Sequence, residues 1–300
     1  MRVAHVVGII LIAYLPVRAK TINDQLVRQV DVPDDPQRIV SLAPSITEIV
    51  FKLNQAPRLK GVTQYSNYPA EALVLPKVGS YVRLDLEKII ALDPDLCIAI
   101  KDGNPRGLVE RLQSMKIPVY VVDPRNLDTV IQTIVEIGHL LNASEQADML
   151  ANMMRNRLQR IRQLVAETEK RPRVFIQIGI SPIISAGSKT FIHDLILKAG
   201  GINVAAGSTA YPRYSREQVL ALSPDIIIIT SMARRAAFEK VRREWRHYEQ
   251  IPAIRDQRIH LVDSDIFDRP SPRLIDALEL LAALIHPDLF QGPAAGPGKK

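Results

Sequence analysis

Apolar and polar positions follow one order twice along the chain. "LEKIIALDPDLCIAI" at 86–100 and "REQVLALSPDIIIIT" at 216–230 share Glu87 with Glu217, Pro94 with Pro224 and Asp95 with Asp225, each pair 130 positions apart. In both, apolar residues at helical spacing follow Asp85 or Ser215, whose side-chain oxygens suit a helix N-cap, and a Pro-Asp turn closes the helix. An apolar run then follows, Leu96–Ile100 or Ile226–Ile229. A segment apolar at every position fits a strand covered on both faces, as in a parallel sheet between helices. The repeated unit is therefore helix, turn, buried strand.

The echo is wider than these two stretches. "RIVSL" at 38–42 is answered by "RVFIQ" at 173–177, and "PVYVVD" at 118–123 by "IHLVD" at 259–263. The pattern predicts an α/β protein of two Rossmann-like lobes, 36–141 and 172–290, in preference to one continuous doubly wound domain of similar βα units. Between them, residues 142–171 predict one long helix. Leu150, Met154, Leu158, Ile161 and Val165 recur every three or four positions, Asn142 and Glu145 have capping-box spacing, and Pro172 supplies a stop. The stripe is narrow, and Arg155, Arg157, Arg160 and Arg162 are expected to face water. A helix in this place acts as a stiff spacer that limits how far the lobes close.

The ends change the compartment expected for the chain. Residues 1–19 carry Arg2, an apolar core from about Val6 to Leu15 and a small-residue close at Val17-Arg18-Ala19, the pattern of a cleavable secretory signal peptide. Gly/Pro-rich residues 291–300 predict a disordered tail. Cys97 is the single cysteine, so an internal disulfide is ruled out, and its buried-strand setting suits a small core hydrophobe. The formal charge of +7 is mild. The densest basic stretch, 234–249, interleaves acids and apolar residues as an amphipathic helix does, which argues against nucleic-acid binding.

Catalytic signatures are missing. The sequence contains no phosphate loop, dinucleotide fingerprint, HExxH or nucleophile elbow, and His139, His193, His247, His260 and His286 share no metal-ligand spacing. Polar and aromatic loops stand out instead: "TQYSNYP" at 63–69, "GSYVRLD" at 79–85, "AYPRYS" at 210–215 and "SDIFDRPSPR" at 264–273. They follow predicted strands, where ligands meet open α/β sheets. A secreted α/β enzyme using the same cleft remains a remote alternative, with Asp265 near Arg269 as its only starting point.

Together, "RIVSLAPSITEIVFKLN", "GVTQYSNYP", "DLEKIIALDPDLCIAIKDGN", "AYPRYSREQVLALSPD" and "SDIFDRPSPRLIDALELLAALI" resemble the periplasmic substrate-binding proteins of the vitamin B12 (cobalamin) ABC importer, and more loosely the iron-siderophore and haem binders of the same class. The resemblance spans about residues 36–290. It implies a class III binding protein that is no enzyme and has no cofactor of its own. Such a protein acts in the periplasm as a monomer, holds a small molecule between its lobes and delivers it to an inner-membrane permease. The implied cargo is a corrinoid, with haem or a ferric siderophore as the alternative. Implied ligand contacts fall on Tyr65, Tyr81, Ile100, Lys101, Tyr211, Asp265, Phe267 and Arg269. Cobalamin binders place tryptophan at several of these positions, whereas this chain has Tyr81, Ile100, Tyr211 and Ile266. Under the alternative, Tyr65 or Tyr211 would ligate iron, or Arg83, Arg213 and Arg269 would grip an anionic chelate. The family's acidic permease contacts are matched to Glu48 and Glu217. Ser45 and Glu48 also have capping-box spacing, and Glu217 suits the first turn of a helix.

Overall fold

A computed structural model describes residues 19–230 and 235–290. Two four-stranded parallel sheets carry the architecture. The first runs in the order Leu59–Gly61, Ile39–Ser41, Leu96–Ile100, Val119–Val122; the second in the order Ile202–Asn203, Arg173–Gln177, Ile226–Ile229, Ile259–Leu261. Counted along the chain within each lobe, both orders read second, first, third, fourth. The doubled sequence pattern is a doubled topology, and each sheet reverses its winding beside its first strand, where open α/β sheets form a crevice.

The shared spelling of the two units has a local cause. Asp95 accepts the backbone N–H groups of Gln37 (2.7 Å) and Arg38 (2.9 Å), and Asp225 accepts that of Arg173 (2.8 Å). The guanidinium groups of Arg38 and Arg173 reach back to the carbonyls of Leu92 (2.5 Å) and Leu222 (2.9 Å). Each Pro-Asp turn thus fastens the end of one helix to the start of the lobe's first strand. The residue that leaves each helix is left-handed, Asp93 at φ 47° and Ser223 at φ 43°. Asp85 and Ser215 cap their helices as the spacing predicts, accepting the N–H groups of Lys88 and Gln218.

The linking helix spans Ser144–Ala166 and ends well before Pro172. Its expected capping box does not form. Asn142 is left-handed at φ 54° and donates instead to Asp34 O (2.9 Å) and Asp35 Oδ1 (3.0 Å), while Ala143 stands at the cap. Nor is the helix a wet bridge. Ala147, Ala151, Met154, Leu158, Ile161 and Val165 are buried in one apolar core that runs from Ile39 and Ile98 of the first lobe to Val174 and Ile226 of the second. Arg157, expected in water, donates to Glu279 (2.5 and 2.8 Å) and Asp276 (2.6 Å) on the helix Leu274–Ile285. A spacer sharing the core of both lobes resists hinge motion, because bending it would expose apolar surface.

Smaller clusters close the outer faces, around Val40, Cys97 and Val119 in the first lobe and around Phe175, Ile227 and Trp245 in the second. A hairpin pairing Ala19–Asn23 with Gln29–Pro33, not foreseen from the sequence, precedes the first lobe and buries Val30 and Val32. The signal peptide expected over 1–19 lies outside the described residues except for Ala19, and the expected tail over 291–300 lies wholly outside them. Among the described residues no helix is long and apolar enough to cross a membrane.

Candidate functional site

The loops that leave the carboxyl ends of the two sheets face each other across a cleft of about 380 Å³. Tyr65, Tyr81, Ile100, Asp102 and Arg125 line it from the first lobe, and Ile178, Ile184, Phe191, Tyr211, Asp265 and Asp268 from the second. Tyr65 and Tyr81 meet edge to face, with ring centroids 6.2 Å apart. Tyr81 is held by the segment "DGN" at 102–104. Asn104 donates to the carbonyls of Tyr81 and Leu42 (both 2.8 Å) and accepts the N–H of Ile100 (2.8 Å). A side chain at Gly103, which lies at φ 134°, would come within 2.6 Å of the Tyr81 ring. Glycine is required there for two independent reasons.

Most charges of the cleft are already satisfied within the protein. Arg125 grips Asp102 with both terminal nitrogens (2.6 and 3.2 Å) and reaches Asp123 through Nε (2.6 Å). Lys101 pairs with Asp123 at 2.9 Å and is not among the residues that line the cleft, where the sequence reading expected it. Arg269 lines the cleft, but Nη1 donates to Glu48 Oε1 (3.0 Å) and Asn67 Oδ1 (2.8 Å), and Nη2 to Tyr65 O (3.0 Å) and Asp265 Oδ1 (2.5 Å). Asn67 in turn donates to Asp265 Oδ2 at 2.7 Å. Arg269 and Asp265 therefore shape the wall by joining the lobes and fixing the backbone beneath Tyr65. Arg83 and Arg213 do not line the cleft.

Burial tunes the remaining groups. It raises the phenol of Tyr81, with Asp268 and Tyr65 adding to the effect, and pushes that of Tyr211 up to about 12. Both rings are presented as neutral phenols. Desolvation also pushes the Asp268 carboxyl up to about 7, against the opposing hydrogen bonds from Thr230 Oγ1 (2.8 and 2.9 Å).

Two further expectations are corrected. Phe267 is 1 % exposed, packs in the core and does not line the cleft, whereas the phenylalanine that does is Phe191. Glu48 does not project outward. It is 2 % exposed and accepts bonds from Arg269, Arg273 (2.9 and 2.7 Å) and Ser271 (2.7 Å), all on the other lobe. Its helix, Pro44–Lys52, starts at Ala43 without the Ser45–Glu48 box. Glu217 is exposed in the first turn of the helix Arg216–Leu222. Its counterpart in the repeat is Glu87, exposed at the same place in Leu86–Ala91.

Phe191, Ile178, Ile184, Asp268 and Lys189 were not anticipated as lining residues. The repeat held a usable signal for all of these but Asp268: residues 178–191 follow the first strand of the second lobe, as Leu42–Ser45 follow that of the first. Among the described residues no group of three or more His, Cys, Asp or Glu side chains is arranged to hold a metal ion.

Comparison with known proteins agrees with this geometry. The sequence profile of the family described as periplasmic binding protein matches residues 39–266. An uncharacterized ABC transporter substrate-binding lipoprotein of Bacillus subtilis (strain 168) is 32% identical over 278 residues, covering 90% of this chain and 87% of that protein. The crystal structure of the periplasmic vitamin B12 binding protein of Vibrio cholerae superposes with a TM-score of 0.77 at 30% identity, covering 87% of this chain and 100% of its own. A periplasmic heme-binding protein from Roseiflexus sp. RS-1 in apo form gives 0.75 at 27% identity, over 84% of this chain and 99% of its own.

Proposed function

Because the chain belongs to the periplasmic binding protein family, we propose that it captures a corrinoid in the interlobe cleft and presents it to an ABC importer permease. The observation that carries this reading is the character of the walls. Tyr65, Tyr81 and Tyr211 and the aliphatic Ile100, Ile178 and Ile184 face a space in which most charges are spent on partners within the protein. Such walls suit a broad apolar ring with amide arms. The ring stacks on aromatic faces, at about 0.5–1.5 kcal/mol per contact beyond area burial, and the amides take hydrogen bonds from phenolic hydroxyls and accept or donate at Asp268. The lobes are already joined through Glu48, Arg269 and Arg273, so the cleft is largely preformed and little ordering cost falls on binding.

A haem is the second reading, supported by the likeness to a heme-binding protein and by the tyrosines, whose oxygens are hard donors. It is placed second because the likeness to the vitamin B12 binding protein of Vibrio cholerae is slightly the greater, 30% identity and a TM-score of 0.77 against 27% and 0.75. Titration of the mature protein with cyanocobalamin, followed by calorimetry, tests the proposal: binding at micromolar ligand or tighter is expected. No binding there, together with a shifted Soret band on adding haemin, would replace the corrinoid by haem.

For the permease contact we propose Glu87 and Glu217. They are related by the internal repeat, exposed, and held at helix first turns, one on each lobe. This pair offers two carboxylates in pseudo-symmetric positions to a partner built from two similar halves, which the buried Glu48 cannot do.

A further inference from the structure

Of the cations lining the cleft, Arg125 and Arg269 are each committed to carboxylates, while Lys189 makes no ion pair among the described residues. Its side chain is exposed to the cleft, but the backbone that carries it is fixed. Gly187 N donates to Ala210 O (2.8 Å), Ser188 N to Gly207 O (3.2 Å), and Gly207 N to Ser188 Oγ (3.1 Å). Thr190 Oγ1 donates to Gly187 O (2.8 Å) and accepts the N–H of His193 (3.3 Å), capping the helix Phe191–Lys198. A side chain at Gly187 would meet Thr209 O at 2.0 Å, so the loop lies directly on the segment that delivers Tyr211. A free ammonium on a rigid loop beside an aromatic wall is a charge placed for the cargo.

The carboxylates of the cleft do not compete for it. Asp102 and Asp123 are neutralised by Arg125 and Lys101, Asp265 by Arg269, and Asp268 takes a hydroxyl hydrogen bond from Thr230. We propose that Lys189 is the anion anchor of the cleft, receiving a single anionic group at the rim of the bound ring. Resting on the corrinoid reading, this assigns it the phosphodiester of the nucleotide loop, the one phosphate of cobalamin. An ammonium meets a phosphate oxygen as a point charge without fixed geometry, which suits a group on a flexible loop.

The test compares cyanocobalamin with dicyanocobinamide, which lacks the nucleotide loop and its phosphate, on the wild-type protein and on Lys189→Gln and Lys189→Arg. A rim ion pair of this exposure sets the expected loss at roughly fivefold in Kd. Lys189→Gln should weaken cobalamin by that factor, leave cobinamide unchanged and flatten the salt dependence of cobalamin binding; Lys189→Arg should restore both. An equal effect on the two ligands, or none on either, overturns the anchor while leaving the corrinoid reading intact. Failure of the wild-type protein to bind either corrinoid overturns that reading and the anchor with it. Unchanged thermal unfolding of Lys189→Gln separates these outcomes from misfolding.

Discussion

Replacing Glu48 by glutamine tests what holds the lobes in register. The side chain is 1 % exposed and takes bonds from Arg269 (3.0 Å), Arg273 (2.9 and 2.7 Å) and Ser271 (2.7 Å). Glutamine preserves the shape but carries no charge and turns an NH2 toward guanidinium donors. Breaking a buried ion pair by removing one partner costs about 3–5 kcal/mol, since the stranded charge remains desolvated. Here the lower end applies, because Arg269 keeps Asp265 at 2.5 Å and Arg273 keeps Asp265 O at 2.9 Å and the Tyr68 ring at 3.9 Å. A loss of about 3 kcal/mol is a sizeable share of a typical stability of roughly 5–15 kcal/mol. With a urea slope of about 2–3 kcal/mol/M for a chain this large, the midpoint should fall by about 1 M. The assay is urea unfolding followed by Trp245 fluorescence and by circular dichroism, repeated at high salt. The cluster is enclosed, so the loss should persist at high salt, where an exposed pair would already be screened. Ligand affinity should fall too, because the Arg269 that loses Glu48 also holds the Tyr65 carbonyl at 3.0 Å. A midpoint within about 0.3 M of wild type, or a difference abolished by salt, would refute this account of the interface.

Other outcomes follow from single groups. Asp268 is raised from an ordinary value near 3.8 to about 7, so the folded protein holds a proton that the unfolded chain has released; stability should decline between those pH values and level off above them. Asp268→Asn should remove that decline. Its advantage over wild type, at most about 4 kcal/mol at 1.4 kcal/mol per pH unit, should grow from pH 4 to 7 in thermal melts, and parallel wild-type and mutant curves would contradict it. Tyr81→Ala and Tyr211→Ala should each weaken cyanocobalamin binding by about 0.5–1.5 kcal/mol or more in calorimetry, with the corresponding Phe variants losing much less. Glu87→Lys and Glu217→Lys should leave ligand affinity unchanged but slow uptake in a reconstituted transporter, the double variant more than either; full uptake by the double variant would dismiss the docking pair. Cys97, fully buried and with its thiol pushed up to about 12, should resist thiol reagents in the native protein and react once urea unfolds it.

What could be read from the sequence is what short-range physics determines. The two helix–turn–strand units were legible because periodicity, caps at Asp85 and Ser215 and the Pro-Asp turns all act within a few residues, and the identical sheet orders follow from their duplication. Tyr65, Tyr81 and Tyr211 reach the cleft for the same reason: they sit in loops leaving the carboxyl ends of strands. Glu48 was misread because its decisive partners lie 221 to 225 positions away, while its spacing from Ser45 offered a plausible local explanation. Lys101 and Phe267 fail in the same way. A position next to a cleft-facing residue does not say which way the side chain turns, and Lys101 found Asp123 22 positions on while Phe267 turned to the core. The repeat itself held the correction. An exposed acid on one lobe with a topological twin on the other points to Glu87 beside Glu217, whereas a carboxylate set in a segment as apolar as Ile46–Val50 calls for cations from elsewhere in the fold, the exposed Lys52 four positions on making no ion pair with it. Arg269 and Arg273, spaced four apart in "RPSPR", were the pair available to answer it. The charge of Glu48 is spent inside the protein, on keeping the two walls of the cleft together.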